Sequence, residues 1–466
     1  MKDGGFDCVI GNPPYIRIQA MKEWAPVEVE FYKDQYKAAS SGNYDIYVVF
    51  IEKGLSLLNQ RGKIGFICPH KFFNAQYGTP LRKLLSEGKH LAHVVHFSDQ
   101  QVFDGATTYT CLLFLEKSGS KQLHFERVTG LEAWRATGDA TEGKIPADIV
   151  TASGWNFTVG LRGSLLERLK ETPVKLGNIA ERMAQGIRTS ANEVYVLDLV
   201  SGGKSIITAH SKQLGQEIKL ERKTVSPFLQ GREIKPYALL PSGKVLIIPY
   251  SVEHGKVRLL SEKELESECP RTFSYLLENK SYLQDRERGR MRGAGWYGYV
   301  YPKNIEVMKE QKILVPDIAD RASFALDETG GYAFTSGYGI TLKSDVTESV
   351  KYVLALLNSK LLDFYLKSVS TTLRGGFFRY FTQFIQQLPI RLINFSDSAD
   401  KARHDKMVEL VDRMLELNKQ KHSGKLAPSQ VDRVDREIAA TDAEIDNLVY
   451  GLYGITGEER KTMEGG

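Results

Sequence analysis

The chain of 466 residues reads as an α/β protein: a parallel sheet with helical crossovers, then a mixed α+β region, then a helical hairpin at the carboxyl end. Three observations predict this. Over residues 1–130, short runs apolar on both faces alternate with segments of helical spacing, the signature of a sheet covered on both sides. Over 176–395 the pattern shortens into strand-like runs broken by Gly, Pro and Tyr. Over 396–466 charged residues flank an apolar stripe of helical period. Residues 131–175, Gly- and Thr-rich in "TGLEAWRATGDATEGKIP", read as a linker between the first two regions.

Taken in order, "FDCVIG" is a short strand ending in Gly11. "NYDIYVVFIEKGLSLLNQRG" has helical spacing through Ile46, Val49, Phe50, Leu55 and Leu58, with Gly62 as its stop, and "KIGFICP" follows as a strand. "PLRKLLSEGK" predicts a helix, "LAHVVHF" a strand, and "YTCLLFLEK" a further strand after the turn "FDGATT". Later, "KVLIIPYSV", "KILVPDIA" and "GYGITLKS" read as strands of a mixed or antiparallel layer, and "VKYVLALLNSKLLDFYLKSV" as one apolar helix. In the last segment Met407, Val408, Val411 and Leu415 face Ile438, Ile445, Leu448 and Leu452 across a hairpin.

Composition narrows the function without fixing it. Hydrophobic residues make up 42% and charged residues 26%, which is globular, and the net charge of +5 admits a polyanionic partner without requiring one. The four cysteines, Cys8, Cys68, Cys111 and Cys269, have no zinc-knuckle spacing and read as small buried hydrophobes in a reducing compartment. No apolar stretch reaches the roughly 18 residues of a membrane span, so the expected location is cytoplasmic, at the nucleoid, with no membrane partner. Among "HLAHVVH", strand parity turns His93 away from His90 and His96, so these three do not converge and no metal is expected.

The chemistry concentrates at "NPPY", residues 12–15, immediately after the first strand. In parallel sheets ligands gather at the carboxyl ends of strands. Pro13 and Pro14 fix the backbone and remove two donors, leaving rigid carbonyl acceptors beside the Asn12 side-chain carbonyl. Two converging acceptors can hold a planar amino group by both hydrogens, and Tyr15 offers a face for a ring. An exocyclic amine on a nucleobase suits this arrangement. Drawing its N–H bonds out of plane favours a nucleophilic, tetrahedral nitrogen in the transition state. A base in a duplex must first be swung out to reach such a pocket.

With these residues in place the chain resembles the TaqI-like gamma group of DNA adenine N6-methyltransferases, including the fused restriction-modification proteins. "NPPY" matches their catalytic tetrapeptide; "NYDIYVVFIEKGLSLLNQRGKIGFICPHKFF" and "QVFDGATTYTCLLFLEK" match the segments that follow it. "FLQGREIKPY", "ALLNSKLLDFYLKSVSTTLRGGFFRYF" with "QLPI", and "EIDNLVYGLYGIT" match the specificity domain and tail. The resemblance implies a partial Rossmann-like methyltransferase sheet in 1–130, a target-recognition domain in 176–395 and a helical tail. It implies that Asn12 and the Pro13 carbonyl accept from the adenine amino group and that Tyr15 and Phe103 stack on the flipped base. It also implies that Phe50 packs against the methyl donor, S-adenosylmethionine.

Only eleven residues precede Asn12, whereas the family carries its acidic, Gly-rich donor loop upstream of this motif. "GAGWYG", residues 293–298, fits G-x-G-x-x-G but follows no strand and opens no helix. The expectation is therefore the carboxyl-terminal portion of a longer enzyme, inactive alone, whose donor-binding half is an amino-terminal extension or a separate subunit. No acidic nuclease constellation is evident. The expected partner is double-stranded DNA, met by Arg288, Arg290 and Arg292 beside Trp296 and Tyr297, by Arg374 and Arg379 in "TLRGGFFRYF", and by Arg232 and Lys235 in "GREIKPY". The alternative is a non-catalytic DNA-recognition subunit or relic.

Overall fold

A computed structural model describes residues 4–103, 108–155, 157, 159–253, 255–373 and 375–464. The chain divides into two compact units, Met1–Arg168 and Leu169–Gly466.

In the first unit, strand β1 (Phe6–Gly11) leads through helices α1 (Ile18–Trp24) and α2 (Pro26–Gln35) into α3 (Tyr47–Leu57). Strand β2 (Leu58–Pro69), helix α4 (Thr79–Glu87), strands β3 (Leu91–His96), β4 (Thr110–Glu116) and β5 (Gln122–Arg127), helix α5 (Leu131–Thr137) and strand β6 (Thr141–Pro146) follow. The sheet order is β1-β2-β4-β3-β5-β6. β1 runs parallel to β2 and β3 to β5, but β4 runs antiparallel between β2 and β3, and β6 antiparallel to β5. The sheet is thus mixed rather than parallel: the short connection from β3 to β4 contains no crossover helix among its described residues, so the chain turns back.

Strand parity sorts the sheet into two unequal faces. Ile64, Phe66, Cys68, Leu113, Leu115, Val94 and Phe125 are buried with residues of α3 and α4 in one core. On the reverse face Trp134 of α5 packs with Val95, Phe97 and Val128, while Lys63 and Phe114 stay open to solvent. The expected double cover is therefore incomplete. Helix α3 ends at Leu57, five residues before the expected stop, because Gly62 serves the strand instead: a Cβ there would meet the Phe6 carbonyl at 2.6 Å. Gly54 likewise lets α3 close on β2, where a Cβ would touch the Ile64 side chain at 3.0 Å. The expected linker holds α5 and β6, the sixth strand of the sheet, so this unit extends past residue 130. Cys8 is exposed on β1 rather than buried.

The second unit contains two main sheets. One orders Gln216–Glu221, Ile206–Ser211, Val196–Gly202, Lys244–Ile247, Val225–Leu229 and Ala333–Phe334; the other orders Ala325–Asp327, Lys312–Pro316, Gly337–Leu342 and Ala180–Gln185. Pairing is antiparallel throughout except for the Val225–Leu229 and Ala333–Phe334 pair. Helices Glu262–Glu268, Pro270–Glu278 and Lys280–Gly289 interrupt this region, which had read as strand and loop. The single apolar helix breaks at Ser359 into Val350–Asn358 and Lys360–Val369, with the Ser359 hydroxyl capping the second. Ser398–Lys421 and Pro428–Leu452 form the hairpin, burying Met407, Val411, Ile445 and Val449. Asp446 accepts from the Lys360 backbone N–H at 2.9 Å, so the hairpin is part of this unit rather than a detached tail.

Candidate active-site loop and nucleic-acid surface

The loop after β1 is held from two sides. The Ile46 N–H donates to the Ile16 carbonyl at 2.9 Å, and the Ile18 N–H to the Tyr44 carbonyl at 3.0 Å, which ties the segment to the approach of α3. The Tyr15 hydroxyl donates to the Ile67 carbonyl near the end of β2 at 3.2 Å. Pro13 is buried, Pro14 and Tyr15 are half-buried, and Asn12 is exposed. Burial is the main cause that pushes the Tyr15 phenol well above its usual range, so it stays a neutral donor. The strand tip thus sets an exposed asparagine directly before a buried proline.

Around this loop the carboxyl end of β2 continues into "HKFF", residues 70–73. Arg82 of α4 pins that turn by donating to the carbonyls of Phe72 and Ala75 at 2.5 and 2.8 Å. His70 Nε2 lies 3.2 Å from the Ser98 carbonyl, and its ring sits 4.1 Å from that of His96. Burial pulls the His70 imidazole down to about 4, and His96 well below its ordinary value, so both are neutral at pH 7. This neutral pair braces the segment that leads to Phe103. Val102 packs beside Val95 and Phe97, and the half-buried Phe103 follows it. His70 was missed in the sequence; its only signal is a polar ring directly after an apolar strand. Phe50 keeps 41% of its surface open on α3, where its neighbours Tyr47, Val48, Val49 and Ile51 are buried.

In the second unit the expected DNA-facing residues separate. Trp296 and Tyr297 are each only 2% exposed, with the Trp296 indole N–H donating to Glu262 at 2.9 Å and the Tyr297 hydroxyl to the Leu260 carbonyl at 2.6 Å. They are core residues, which corrects their assignment to a DNA surface. Arg286, next to them, is also buried and donates to the carbonyls of Leu283, Thr189, Trp296 and Gly298, an arrangement that builds the loop. Arg288, Arg290 and Arg292 remain exposed. Arg292 pairs with Asp285 at 2.8 Å and Arg290 lies 5.6 Å over the Tyr301 ring. Glu287 and Arg288 both have positive φ, 50° and 61°, a strained tip that carries the exposed guanidinium.

Arg232 and Lys235 are exposed on either side of buried Glu233 and Ile234. Gly231 is required there, since a Cβ would lie 2.2 Å from the Ser336 carbonyl. Arg374 falls outside the described residues. Strands Thr372–Leu373 and Phe377–Arg379 pair antiparallel, Gly375 and Gly376 both have positive φ, and Arg379 lies 4.9 Å over Phe381. No helix among the described residues is long and apolar enough to cross a membrane.

Comparison with known proteins agrees with this division. Residues 1–103 match the Eco57I restriction-modification methylase family, and residues 226–390 match the TaqI-like C-terminal specificity domain. The chain therefore resembles a region of a restriction-modification methylase followed by a TaqI-like specificity domain. It is 27% identical to the type II restriction enzyme and methyltransferase RM.Eco57I of Escherichia coli, over 97% of this chain and 46% of that protein. It is 24% identical to the type II methyltransferase M.PaeR7I of Pseudomonas aeruginosa, over 99% of this chain and 73% of that one. Among solved structures, the type IIL restriction-modification enzyme MmeI in complex with DNA shares the fold, with a TM-score of 0.55 at 13% identity, over 98% of this chain and 57% of that one. The chain thus spans about half the length of RM.Eco57I and of MmeI.

Proposed function

We propose that this chain carries the catalytic loop and the target-recognition region of a site-specific DNA adenine N6-methyltransferase in a restriction-modification or phage-defence system. The observation that carries the reading is the exposed Asn12 at the tip of β1, followed by a buried Pro13 and a Tyr15 tethered to β2. The Asn12 side-chain carbonyl and the Pro13 backbone carbonyl hold the two hydrogens of a flipped adenine's amino group, which directs the nitrogen lone pair toward an incoming methyl carbon. Tyr15 and Phe103 sandwich the extruded ring. S-adenosylmethionine supplies the methyl group as an electrophile, and the exposed ring of Phe50 fits an apolar wall for it. The amine loses its proton after attack, so no charged base is needed at the clamp.

The sheet supports a donor half supplied from outside these residues. β1 is an edge strand with parallel pairing on one side, yet Phe6 is 47% and Ile10 81% exposed along it. The unpaired N–H and C=O groups of that edge suit a further strand, and the apolar face of Phe6 and Ile10 suits a covering layer. We assign the donor loop to strands added at this edge, from an amino-terminal extension or a separate subunit. In the recognition region, Arg288, Arg290, Arg292, Arg232, Lys235, Arg374 and Arg379 are the DNA contacts of this reading; the strain at Glu287 and Arg288 supports a tip poised for the duplex.

The test is expression of the chain, with the coding sequence that adjoins it in its genome, in a methylation-free host. Single-molecule sequencing of the host DNA is expected to find N6-methyladenine at one motif, and Asn12→Ala to abolish it while duplex binding persists. Methylcytosine at that motif, or methylation unaffected by Asn12→Ala, overturns the reading.

A further inference from the structure

The reverse face of the first unit's sheet, remote in sequence from the NPPY loop, gathers a second constellation. His93 of β3 lies opposite His124 of β5 in the register, and Glu126 follows two residues later on the same face. Glu142 of β6 lies opposite Glu126. Their polar atoms meet: His93 Nε2 is 2.8 Å from Glu126 Oε1, His124 Nε2 is 3.4 Å from the same oxygen, and His124 Nε2 is 3.0 Å from Glu142 Oε2. The ligand atoms of His93, His124 and Glu126 all lie within 4.8 Å of one another, the one such grouping among the described residues.

We propose that His93, His124, Glu126 and Glu142 form a divalent transition-metal site, of the zinc class, that staples β3, β5 and β6 together. Hydrogen bonding leaves one contact of this cluster unserved. His124 Nε2 carries at most one proton yet faces two carboxylate oxygens, from Glu126 and Glu142. A cation placed among the four serves all of them through lone pairs. Two neutral imidazoles and two carboxylates sum to a charge of −2, which one divalent ion cancels.

The geometry is also of the right size. Metal–nitrogen and metal–oxygen bonds of about 2.0–2.2 Å set tetrahedral ligand–ligand edges near 3.3 Å; the separations of 2.8 and 3.4 Å within the group of three straddle that length, and the exposed Glu142 side chain, 3.0 Å from His124 but outside that group, turns inward to complete the set. Soft thiolates are absent from the set, and the imidazole–carboxylate mixture favours zinc over magnesium or calcium.

Outer contacts hold the donors in place. The Trp134 indole N–H donates to Glu126 Oε2 at 3.4 Å, leaving Oε1 toward the histidines, and Phe114 stacks on the His93 ring at 5.2 Å. Such supports commonly set ligand orientation in metal centres. The side chains of His93, His124 and Glu126 are 32%, 33% and 18% exposed, and that of Glu142 is 63% exposed, so solvent ions reach the site from the Glu142 side. The arrangement was invisible in the sequence because its ligands come from three strands, and only His93 belongs to the "HLAHVVH" run.

The proposal is tested on the full 466-residue chain, stripped with a chelator and titrated with zinc chloride by calorimetry, with cobalt chloride as a spectroscopic probe. One equivalent is expected to bind at micromolar or tighter affinity, to raise the melting temperature, and to give cobalt ligand-field bands of tetrahedral intensity. His124→Ala is expected to weaken binding by ~100-fold and Glu142→Gln by ~10-fold or more, with far-ultraviolet circular dichroism unchanged. Glu142 is exposed, so the second variant remains informative if the first misfolds. No binding below millimolar zinc, or an affinity unchanged in Glu142→Gln and in folded His124→Ala, overturns the site.

Discussion

Lowering the pH from 7 to 5 should loosen the first unit at the turn that supports the NPPY loop. His70 is half-buried against His96 and Tyr109, and burial is the largest cause that brings its imidazole from 6.5 to about 4. Between those two values the unfolded chain binds a proton that the folded one refuses, so stability is present above 6.5 and falls as pH drops. Taking 6.5 unfolded and about 4 folded, the linkage relation gives about 2 kcal/mol lost between pH 7 and pH 5. This is an upper figure, since the ring keeps some solvent contact that screens its charge. His96 acts in the same direction. The assay is hydrogen exchange of peptides covering β2 and β3, corrected for intrinsic rates, in the native chain and in His70→Gln. The native chain should lose protection on acidification and the variant distinctly less. Equal losses in both would mean that His70 does not carry the linkage.

Two further outcomes follow from the second unit. Lys312 and Asp327 form a 2.6 Å ion pair with side chains 0% and 1% exposed, and Asp327 also accepts from the N–H groups of Gly331 and Tyr332. Lys312→Met should cost about 3–5 kcal/mol in urea unfolding of this unit, because it strands a buried carboxylate; a cost below ~1 kcal/mol contradicts that reasoning. Arg288→Ala and Arg290→Ala should each weaken binding to all duplexes alike and lower the slope of log affinity against log salt by ~1, as loss of a phosphate contact does. Trp296→Phe, by contrast, should change stability and leave that slope intact, since its indole N–H is spent on Glu262.

What the sequence revealed and what it hid divide along physical lines. Local features were legible: the strand stops at Gly11 before two prolines, α4 and β3 fall where their periodicity puts them, and the hairpin buries Met407 and Val411 as its stripe required. Features that depend on which strand lies beside which were not. The reversed β4 reads like any apolar strand, because periodicity carries no direction. The aromatic–arginine run 286–297 reads as a binding surface because Trp, Tyr and Arg serve cores and DNA grooves equally well. Only the contacts separate them: Arg286 spends its donors on four backbone carbonyls, whereas Arg288 sits on an exposed turn of positive φ.

β1 joins these two kinds of information. Its composition, "FDCVIG", is that of a strand buried on both sides, and that inference rests on a general cost: each large apolar side chain left in water forgoes about 1.5–3 kcal/mol. Yet Phe6, Cys8 and Ile10 are exposed. Phe6, Cys8 and Ile10 share one face of the strand, so that face, as well as the outer edge of β1, is uncovered among the described residues. In the proposed function, Asn12 and Pro13 orient the amine and the open ring of Phe50 is the part of the donor wall that this chain supplies. On the function proposed above, the uncovered face of β1 and the open ring of Phe50 on α3 are both surfaces for a donor-binding half to pack against.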